Sequence, residues 1–309
     1  MNITENSLNI LTVRSYPQKG PAWINSNLKG NESVDFLCRL LNTTESDFYE
    51  KRKTIETAIN KLGDSIDGVI ALGDSNFPKI RGSVKPADKP FVLFYKGDIN
   101  LLNIQNLNIA VIGVLNPDDN IKTSERIVVK ELVKQNAIIV SGLALGCDTI
   151  AHQTAIENSG KTVAILPSTL NNIIPKENME LAKKIVEQGG LLISEYYDSP
   201  KSKSDMISRF IVRDRLQALY SDAVLLAASY AQNNLGNDCG SRHAMGKAKS
   251  YGIKRGVIYN ESKHKGNPMY DLNRQILLED KSVIRIDSNN MSDNIKTLTN
   301  KNHTKDLFF

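Results

Sequence analysis

The sequence has few cysteines, with three among its 309 residues: Cys38, Cys147 and Cys239. Their odd number and wide spacing argue against a disulfide framework, and none has the paired spacing of a zinc site. Long apolar runs are also missing, since none reaches the ~20 residues that a membrane-crossing helix needs. The first residues lack the basic-then-apolar pattern of a secretion signal. We therefore expect reduced thiols in a cytoplasmic protein that does not contact a membrane.

Familiar catalytic signatures are missing as well. The sequence contains no GxSxG, HExxH or GxxxxGK[ST] motif, and its four histidines are scattered. The dinucleotide-binding pattern GxGxxG does not follow the first predicted parallel strand, where Gly113 precedes Val114-Leu115-Asn116-Pro117. These absences argue against a standard nicotinamide enzyme, although a missing motif alone leaves hydrolysis open.

The composition is that of a soluble globular protein with a small excess of positive charge. Hydrophobic residues make up 40% of the chain and charged residues 24%. The chain has 39 lysines and arginines and 34 aspartates and glutamates, which gives a formal net charge of +5. This charge permits nucleic-acid binding without requiring it, so the placement of the cations matters more than their number. The length predicts about two domains.

From about residue 108, short apolar runs alternate with segments of helical periodicity. We predict strands over Ile109–Ile112, Ala137–Val140, Thr162–Leu166, Leu191–Ile193, Ala223–Ala227 and Gly256–Tyr259, and helices over Thr123–Gln135, Thr149–Ser159, Glu177–Gln188, Ser208–Tyr220 and Gly240–Ala248. Strands that are apolar on both faces predict a mostly parallel sheet with helices on both sides. The fold class is therefore α/β, an extended Rossmann-like, doubly wound sheet.

The two ends of the chain differ from this central pattern. Upstream, the spacing predicts helices over Ser33–Leu41 and Glu45–Leu62 and strands over Gly68–Leu72 and Pro90–Asp98. We assign residues 1–65 to a small helical domain and residues 66–286 to the Rossmann-like domain. Residues 287–309 are polar and are predicted to form a flexible tail.

The stretch Ser141-Gly142-Leu143-Ala144-Leu145-Gly146-Cys147-Asp148 joins a predicted buried strand to a predicted helix. Its glycines would let backbone N–H groups approach an anion, and the start of the helix adds its positive dipole end. Asp148 would be the N-cap of that helix. The pattern predicts a phosphate-binding loop; an ordinary strand-to-helix turn is the alternative.

Basic residues cluster in the predicted helix at Ser208–Tyr220. Arg209 and Arg213 lie one helical turn apart on one face, with Phe210 beside them. Guanidinium groups next to an aromatic ring suit the phosphate backbone and an unstacked base of a single strand. A solvated helix face, partly neutralised by Asp214, is the alternative.

Further polar residues lie near the predicted carboxyl ends of the strands. Lys176 and Asn178 begin another predicted helix on that side and would add a phosphate contact. Glu195 is an acid among small and hydroxyl-bearing residues, and we expect it to be buried and to cap a neighbouring loop.

These motifs, in this order, resemble those of the DNA-processing protein A (DprA/Smf) family. The strongest match is Ser141-Gly142-Leu143-Ala144-x-Gly146-x-Asp148-x-x-Ala151-His152. Further matches are Phe77-Pro78, Phe94-Tyr95-Lys96-Gly97, Pro175-x-Glu177-Asn178, Ser194-Glu195-Tyr196, Phe210-x-x-Arg213-Asp214-Arg215 and Asn273-Arg274-Gln275-Ile276-Leu277. The resemblance covers roughly residues 66–286.

The resemblance implies a protein that binds single-stranded DNA, forms a homodimer and loads a RecA-type recombinase. It implies no cofactor, no metal and no bond-breaking chemistry. Carried over by position, Gly113, Ser141, Gly142, Arg213 and Arg215 would bound a phosphate pocket. Phe210 would stand at the edge of the pocket and stack on a base. The predicted site also includes Gly146, Lys176, Asn178, Arg209 and Arg242.

The chain departs from the family pattern at this pocket. Gly-Ser-Arg usually follows the first strand of the family, whereas Val114 and Leu115 follow the glycine here, so one arginine is lost. Asp214 replaces a common asparagine. In the second glycine-rich loop Asp238 would oppose a phosphate, and Arg242 would compensate. We expect weaker DNA binding with a lower salt dependence, and a specialised role in phage defence or DNA uptake.

Two other functions stay open. A sensor of a nucleotide or nucleotide-derived signal would use the same crevice, and the loss of an arginine fits a smaller ligand. A nucleotide-hydrolysing enzyme of the phosphoribohydrolase type ranks last, because its Pro-Gly-Gly-x-Gly-Thr turn is missing from this sequence.

Overall fold

A ten-stranded sheet forms the centre of the fold. The computed structural model describes residues 1–233, 235 and 240–301. The strands are β1 (Asn2–Ile3), β2 (Gly68–Ala71), β3 (Val92–Gly97), β4 (Asn108–Ile112), β5 (Ile138–Ser141), β6 (Thr162–Leu166), β7 (Leu191–Ser194), β8 (Ala223–Leu226), β9 (Lys254–Ile258) and β10 (Ile284–Ile286). Their order across the sheet is β1-β2-β3-β7-β6-β5-β4-β8-β9-β10. Neighbouring strands of the described chain run parallel, except that β3 is antiparallel to β2 and to β7.

Helices connect the strands and cover both faces of the sheet. They are α1 (Glu5–Arg14), α2 (Pro21–Asn27), α3 (Val34–Leu41), α4 (Glu45–Asn60), α5 (Asp119–Lys134), α6 (Cys147–Glu157), α7 (Met179–Glu187), α8 (Lys203–Leu219), α9 (Ser241–Tyr251), α10 (Glu261–His264), α11 (Asp271–Glu279) and α12 (Met291–Thr299). The core consists of two buried clusters, and β2 contributes Val69 and Ala71 to one and Ile70 to the other. Since successive side chains of a strand point to opposite faces, the clusters lie on opposite sides of the sheet. The predicted fold class, a mostly parallel α/β sheet, is confirmed.

A capping side chain sets the start of α8, the helix that carries the arginine cluster. The helix begins at Lys203, whereas apolar periodicity predicts Ser208. The Ser202 side chain accepts a hydrogen bond from the Asp205 N–H at 3.1 Å and so satisfies a donor that the first turn leaves unpaired. Periodicity marks the buried face of a helix, and the cap marks its end.

A buried asparagine ties the carboxyl ends of β8 and β9 together. The Asn273 side-chain amide donates to the carbonyls of Ala227 and Ile258 at 3.2 and 3.0 Å, and its oxygen accepts from the Ser229 N–H at 3.1 Å. Strand ends leave such backbone groups without ladder partners, and an unpaired buried group is costly. The motif that begins at Asn273 therefore closes this part of the sheet.

The N-terminal helices pack on one face of the sheet. The helices predicted over 33–41 and 45–62 are present as α3 and α4. β1 pairs in parallel with β2, and Phe48 and Ile59 of α4 share a buried cluster with Phe94 and Leu192 of the sheet. The core beneath residues 1–65 is thus continuous with that of the sheet, and the division of the chain into two domains at residue 65 stays a prediction.

The segment from residue 287, predicted as a flexible polar tail, contains a helix with a buried face. α12 turns Ile295 and Leu298 into the core cluster that includes β9 and β10. Its polar residues Ser292, Asp293 and Lys296 are exposed. The prediction is wrong over 291–299 because it rested on the polar composition of the segment, whereas Met291, Ile295 and Leu298 lie at the helical spacing i, i+4 and i+7. Residues 302–309 lie outside the described part of the chain.

This packing of α12 can be measured. Leu298→Ala should lower the free energy of unfolding by about 2–4 kcal/mol, because it leaves a cavity in the core. Lys296→Ala, exposed on the same helix, should change it by less than about 0.5 kcal/mol. Urea unfolding followed by circular dichroism gives both values. Equal losses for the two variants would contradict the packing of α12 against the sheet.

Candidate functional site

A cleft lies where the strand order reverses. β4 has β5 on one side and β8 on the other, and in doubly wound sheets ligands bind beyond the carboxyl ends of the strands at such a point. The cleft has a volume of about 210 Å³ and is lined by Ile112, Gly113, Leu115, Ala144, Asp148, Phe210, Arg213, Asp214, Gln217, Gly240 and Ser241. These residues come from the end of β4, from the turns after β4 and β5, from the start of α6, from α8 and from the start of α9.

The glycine-rich turn after β5 binds a carboxylate of its own chain. One oxygen of Asp148 accepts hydrogen bonds from the N–H groups of Gly142 at 3.1 Å and Ala144 at 3.3 Å. α6 begins at Cys147 with Gly146 as its N-cap, so the prediction that Asp148 is the N-cap is wrong. Asp148 lies one residue inside the helix and reaches back to the turn. Two of the amides predicted to hold a phosphate are therefore already hydrogen-bonded.

Two glycines of this turn are required by close contacts. A Cβ at Gly142 would lie 1.5 Å from Nη1 of Arg213, so the backbone meets the guanidinium directly. Gly146 has a φ of +75°, and a Cβ there would lie 2.3 Å from the carbonyl oxygen of Leu115. A side chain at either position would separate the turn from its neighbours.

Arg213 is the one cation among the described residues that line the cleft. It is buried, and its Nη1 lies 3.6 Å from Asp214 Oδ1 and 4.0 Å from Asp148 Oδ2. The amide of Gln217 is assigned with its oxygen toward this group, since the opposite orientation would place donors against donors. The oxygen then accepts from Arg213 Nη1 at 2.8 Å and from the Gly142 N–H at 3.1 Å. Gln217 therefore joins α8 to the glycine-rich turn and also holds the Arg213 guanidinium in place.

The cleft holds more acidic than basic groups. Burial raises the pKa of Asp214 to about 7, although the neighbouring Arg213 guanidinium favours its charged form. Burial likewise raises the pKa of Asp148 against the opposing effect of Arg213. Beneath the cleft, burial raises the pKa of Glu125 well above its usual range, and the charge of Asp148 adds to the shift. Burial thus favours the protonated form of Asp214, and the negative charge of Asp148 adds to this shift.

Arg215 forms an internal ion pair and does not line the cleft. Its guanidinium meets both carboxylate oxygens of Glu195 at 2.7 Å, and its Nε donates to the carbonyl of Asp88 at 2.9 Å. The Glu195 side chain keeps 10% of its surface exposed, close to the burial expected, but it binds a guanidinium rather than capping a loop. The pair fixes α8 to the segment after β7. The family resemblance implied that Arg215 bounds the pocket, but Arg215 is not among the residues that line the cleft.

Arg209 is also turned away from the cleft. It donates to the carbonyl of Asp198 at 2.7 Å, and it lies 3.1 Å from the Asp198 carboxylate and 3.2 Å from that of Asp205. Its guanidinium stacks over the ring of Tyr196 at 4.2 Å from the centroid. These contacts satisfy a buried charge, so this arginine holds the loop before α8 in place.

Asn178 braces the glycine-rich turn from behind. Its buried amide donates to the carbonyl of Leu143 and to Thr149 Oγ1, both at 2.8 Å. The predicted phosphate contact of Asn178 is thus replaced by a hydrogen bond to the turn itself. Lys176 is exposed and lies outside the cleft lining.

Ser141 and Gly113 serve the packing of strands and helix. The Ser141 hydroxyl donates to the carbonyl of Val111 at 2.7 Å, which links β5 to β4. A Cβ at Gly113 would lie 2.5 Å from the sulfur of Cys147, so this glycine lets α6 approach the end of β4. Gly113 still lines the cleft, whereas Ser141 lies behind it.

Phe210 and Arg242 lie at or near the edge of the cleft. Phe210 lines it, with the Arg213 guanidinium 6.0 Å from the ring centroid. Arg242 is half-buried at the start of α9, next to the lining residues Gly240 and Ser241. The predicted effect of Asp238 concerns residue 238, which lies outside the described residues.

Sequence reasoning missed one functional neighbour and misassigned another. Gln217 follows Arg213 by one helical turn, so the spacing that paired Arg209 with Arg213 would also have placed Gln217 on that face. The sequence predicts Asp148 as an N-cap, but nothing in it distinguishes an N-cap from a side chain that reaches back to the preceding turn.

A second cavity lies outside this region. It has a volume of about 470 Å³ between the ends of β9 and β10 and the first turns of α5, and it contains none of the predicted site residues. In its wall, His264 stacks on Tyr270 with ring centroids 3.9 Å apart. Within the described ranges, no group of three or more His, Cys, Asp or Glu side chains could hold a metal ion. None of the helices in those ranges has the length and apolarity to cross a membrane.

Two solved structures resemble this chain. The X-ray structure of DNA processing protein A (DprA) from Streptococcus pneumoniae aligns over 97% of this chain and 99% of that chain, with a TM-score of 0.71 and 22% identity. This likeness shows the fold. A structure that describes the single-stranded DNA binding mode of DNA processing protein A from Helicobacter pylori aligns over 68% of this chain and 88% of that chain, with a TM-score of 0.55 and 30% identity.

Sequence comparison gives the same relationship. Protein Smf of Borreliella burgdorferi is 32% identical over 158 residues, which are 51% of this chain and 48% of that protein. The chain spans about half the length of the curated relatives it matches. The family model described as DNA recombination-mediator protein A matches residues 68–266, which is more than half of the chain and includes the whole cleft. The chain therefore belongs to the DNA recombination-mediator protein A family.

Proposed function

We propose that the cleft beside β4 binds the sugar-phosphate backbone of single-stranded DNA, and that the chain acts as a recombination mediator in DNA processing. The observation that carries the proposal is the position of Arg213. Its guanidinium lies in a cleft at the point where the strand order reverses, next to main-chain turns and the ring of Phe210. Family membership and the single-stranded DNA binding mode described for the Helicobacter pylori relative support it.

The proposed binding mode relies on the guanidinium more than on backbone amides. The Gly142 and Ala144 N–H groups already bind Asp148, so a phosphate gains little from them. A phosphate must instead compete with Asp148 and Asp214 for Arg213. One phosphate contact of this kind gives weak attraction and a shallow dependence on salt.

A nucleotide sensor would use the same cleft but fits it less well. Pockets that enclose small ligands usually have volumes of about 300–1,000 Å³. The cleft has about 210 Å³, which suits one phosphate and its sugar on a chain that continues past it. Thermal stabilisation by mononucleotides without stabilisation by oligonucleotides would favour the sensor.

The family resemblance extends the proposal to partners. We propose a cytoplasmic homodimer that delivers its strand to a RecA-type recombinase during DNA uptake or phage defence, and that leaves the strand uncut. Light scattering gives the mass in solution. Recombinase filament formation on a short strand, with and without the protein, tests delivery, and gel analysis of the recovered strand tests whether it is cut.

The role of Arg213 gives the first test of the cleft. Arg213→Ala should weaken binding of a short labelled single strand about tenfold and lower the slope of log affinity against log salt by about 0.7, because one phosphate contact is lost. Fluorescence anisotropy at several salt concentrations measures both. Arg39→Ala removes an exposed arginine of α3 and serves as the matched control. Unchanged affinity and slope in a folded Arg213→Ala protein would refute the proposal.

Leu115→Arg is a gain-of-function test that does not disturb the core. Leu115 lines the cleft, and 49% of its surface is exposed, so a long side chain fits there. The added cation should strengthen binding about three- to tenfold at low salt and steepen the salt slope by about 0.7. Leu278→Arg adds the same charge at an exposed position of α11. Equal gains from both variants would mean that net charge, not the cleft, sets affinity.

Asp214 should make DNA binding depend on pH. Its pKa of about 7 means that the carboxylate, charged above neutrality, competes with phosphate for Arg213. Affinity should therefore rise several-fold from pH 8 to pH 6, and Asp214→Asn should bind at pH 8 as the parent does at pH 6.

The stability of the protein should also depend on pH through Asp214. Because the folded pKa lies above the ordinary value of 3.8, the stability that Asp214 contributes is complete below about pH 4 and is lost as pH rises through 7. Fluorescence anisotropy across this pH range measures DNA affinity, and urea unfolding measures stability. If Asp214→Asn kept the pH profile of the parent protein, Asp214 would not be the group that causes the pH dependence.

A further inference from the structure

Four exposed aliphatic side chains lie on the segments that border the cleft, namely the turns after β4 and β5 and α8. The exposed fractions are 49% for Leu115, 41% for Leu145, 52% for Ile207 and 43% for Ile211. Large apolar side chains are common singly on protein surfaces, but a group of them at one place marks a binding surface. We call these four residues the apolar rim.

Close contacts place the rim residues on two sides of the same opening. Leu115 lines the cleft, and the contact of its carbonyl with Gly146 sets it beside Leu145. On the other side, Ile207 precedes Phe210 and Ile211 by one turn of α8, so the three form one strip of that helix. The strip leads outward from Phe210, which itself lines the cleft.

Two arginines of α8 that neighbour the rim are bound elsewhere. Arg209 is held by Asp198 and Asp205, and Arg215 by Glu195. On the α8 side, the mouth therefore presents the hydrocarbon of Ile207 and Ile211 rather than the charge of these two arginines. A phosphate gains no stabilisation from such a surface, whereas the flat apolar face of an unpaired base packs favourably against it.

We propose that the apolar rim holds unpaired bases of the same strand whose phosphate lies in the cleft. The inference rests on the proposed function, because the bases next to a phosphate bound at Arg213 lie within reach of both sides of the opening. Bases on each side of that phosphate pack against Leu115 and Leu145 and against Ile207 and Ile211. Since every base has an apolar face, these contacts tolerate any sequence and are insensitive to salt. The rim thus supplies affinity that the sparse charge of the cleft does not.

Removing the rim and removing the bases should have the same effect. Leu145→Ser and Ile207→Ser should each weaken binding of a short labelled strand about three- to tenfold with an unchanged salt slope. An abasic strand with the same number of phosphates should bind the parent protein as weakly as the double variant binds the normal strand. The double variant should no longer distinguish the two strands. Anisotropy over a salt series measures all of these quantities.

Control variants separate the rim from the cleft. Leu278→Ser replaces an exposed leucine of α11 and should leave affinity unchanged. Equal binding of normal and abasic strands by the parent protein would overturn the rim while Arg213→Ala still reports on the cleft. A parent protein that binds neither strand would overturn the cleft and the rim together. If light scattering shows that the rim variants convert a dimer to a monomer without a change in base dependence, the rim is a contact between copies of the chain and the proposal fails.

Discussion

The carboxylate of Asp148 is the group around which the cleft is arranged. It closes the turn after β5 by binding two of its amides, and it lies 4.0 Å from the guanidinium of Arg213. Gly142 has no side chain to intervene, so α8 and the turn approach each other across that guanidinium. These contacts join the turn, the helix and the guanidinium without a ligand. A site whose groups are already in place costs less to order on binding.

The same arrangement limits how strongly an anion can be attracted. A cation between two acids has most of its field cancelled, and its long-range attraction for DNA is weak. Arg209 and Arg215 do not add to the attraction for an anion, because both are paired with carboxylates. Arg209 holds the loop before α8, and Arg215 holds the segment after β7. The structure thus devotes three arginines to placing α8 and leaves one of them, Arg213, in contact with the cleft. Most of the positive charge of α8 therefore stabilises the position of the helix and does not attract the ligand.

Much of the fold could be predicted from the sequence, because a parallel sheet buries both faces of its strands and leaves unbroken apolar runs. The strands from 108 to 258 were found in this way, whereas β1 and β10 are too short to give a signal. The contacts within the site are harder to predict from the sequence than the fold. Spacing places Arg209 and Arg213 on a common helix face, but it does not show which carboxylates lie opposite. Those partners come from loops distant in the chain, such as Glu195 for Arg215. Asp148 shows the same limit, since its role depends on the direction in which one side chain turns.

The departures from the family pattern act in one direction. Leucine at position 115 removes a charge and adds an exposed apolar surface, while aspartate at 214 adds a carboxylate beside the remaining guanidinium. Each change alone would weaken a site that depends on charge. Together they suit a site whose attraction comes from contact at short range, where an unpaired base meets hydrocarbon and a proton neutralises the acid. A duplex offers its phosphates but not its base faces, so such a site gains selectivity for unpaired strands as it loses charge.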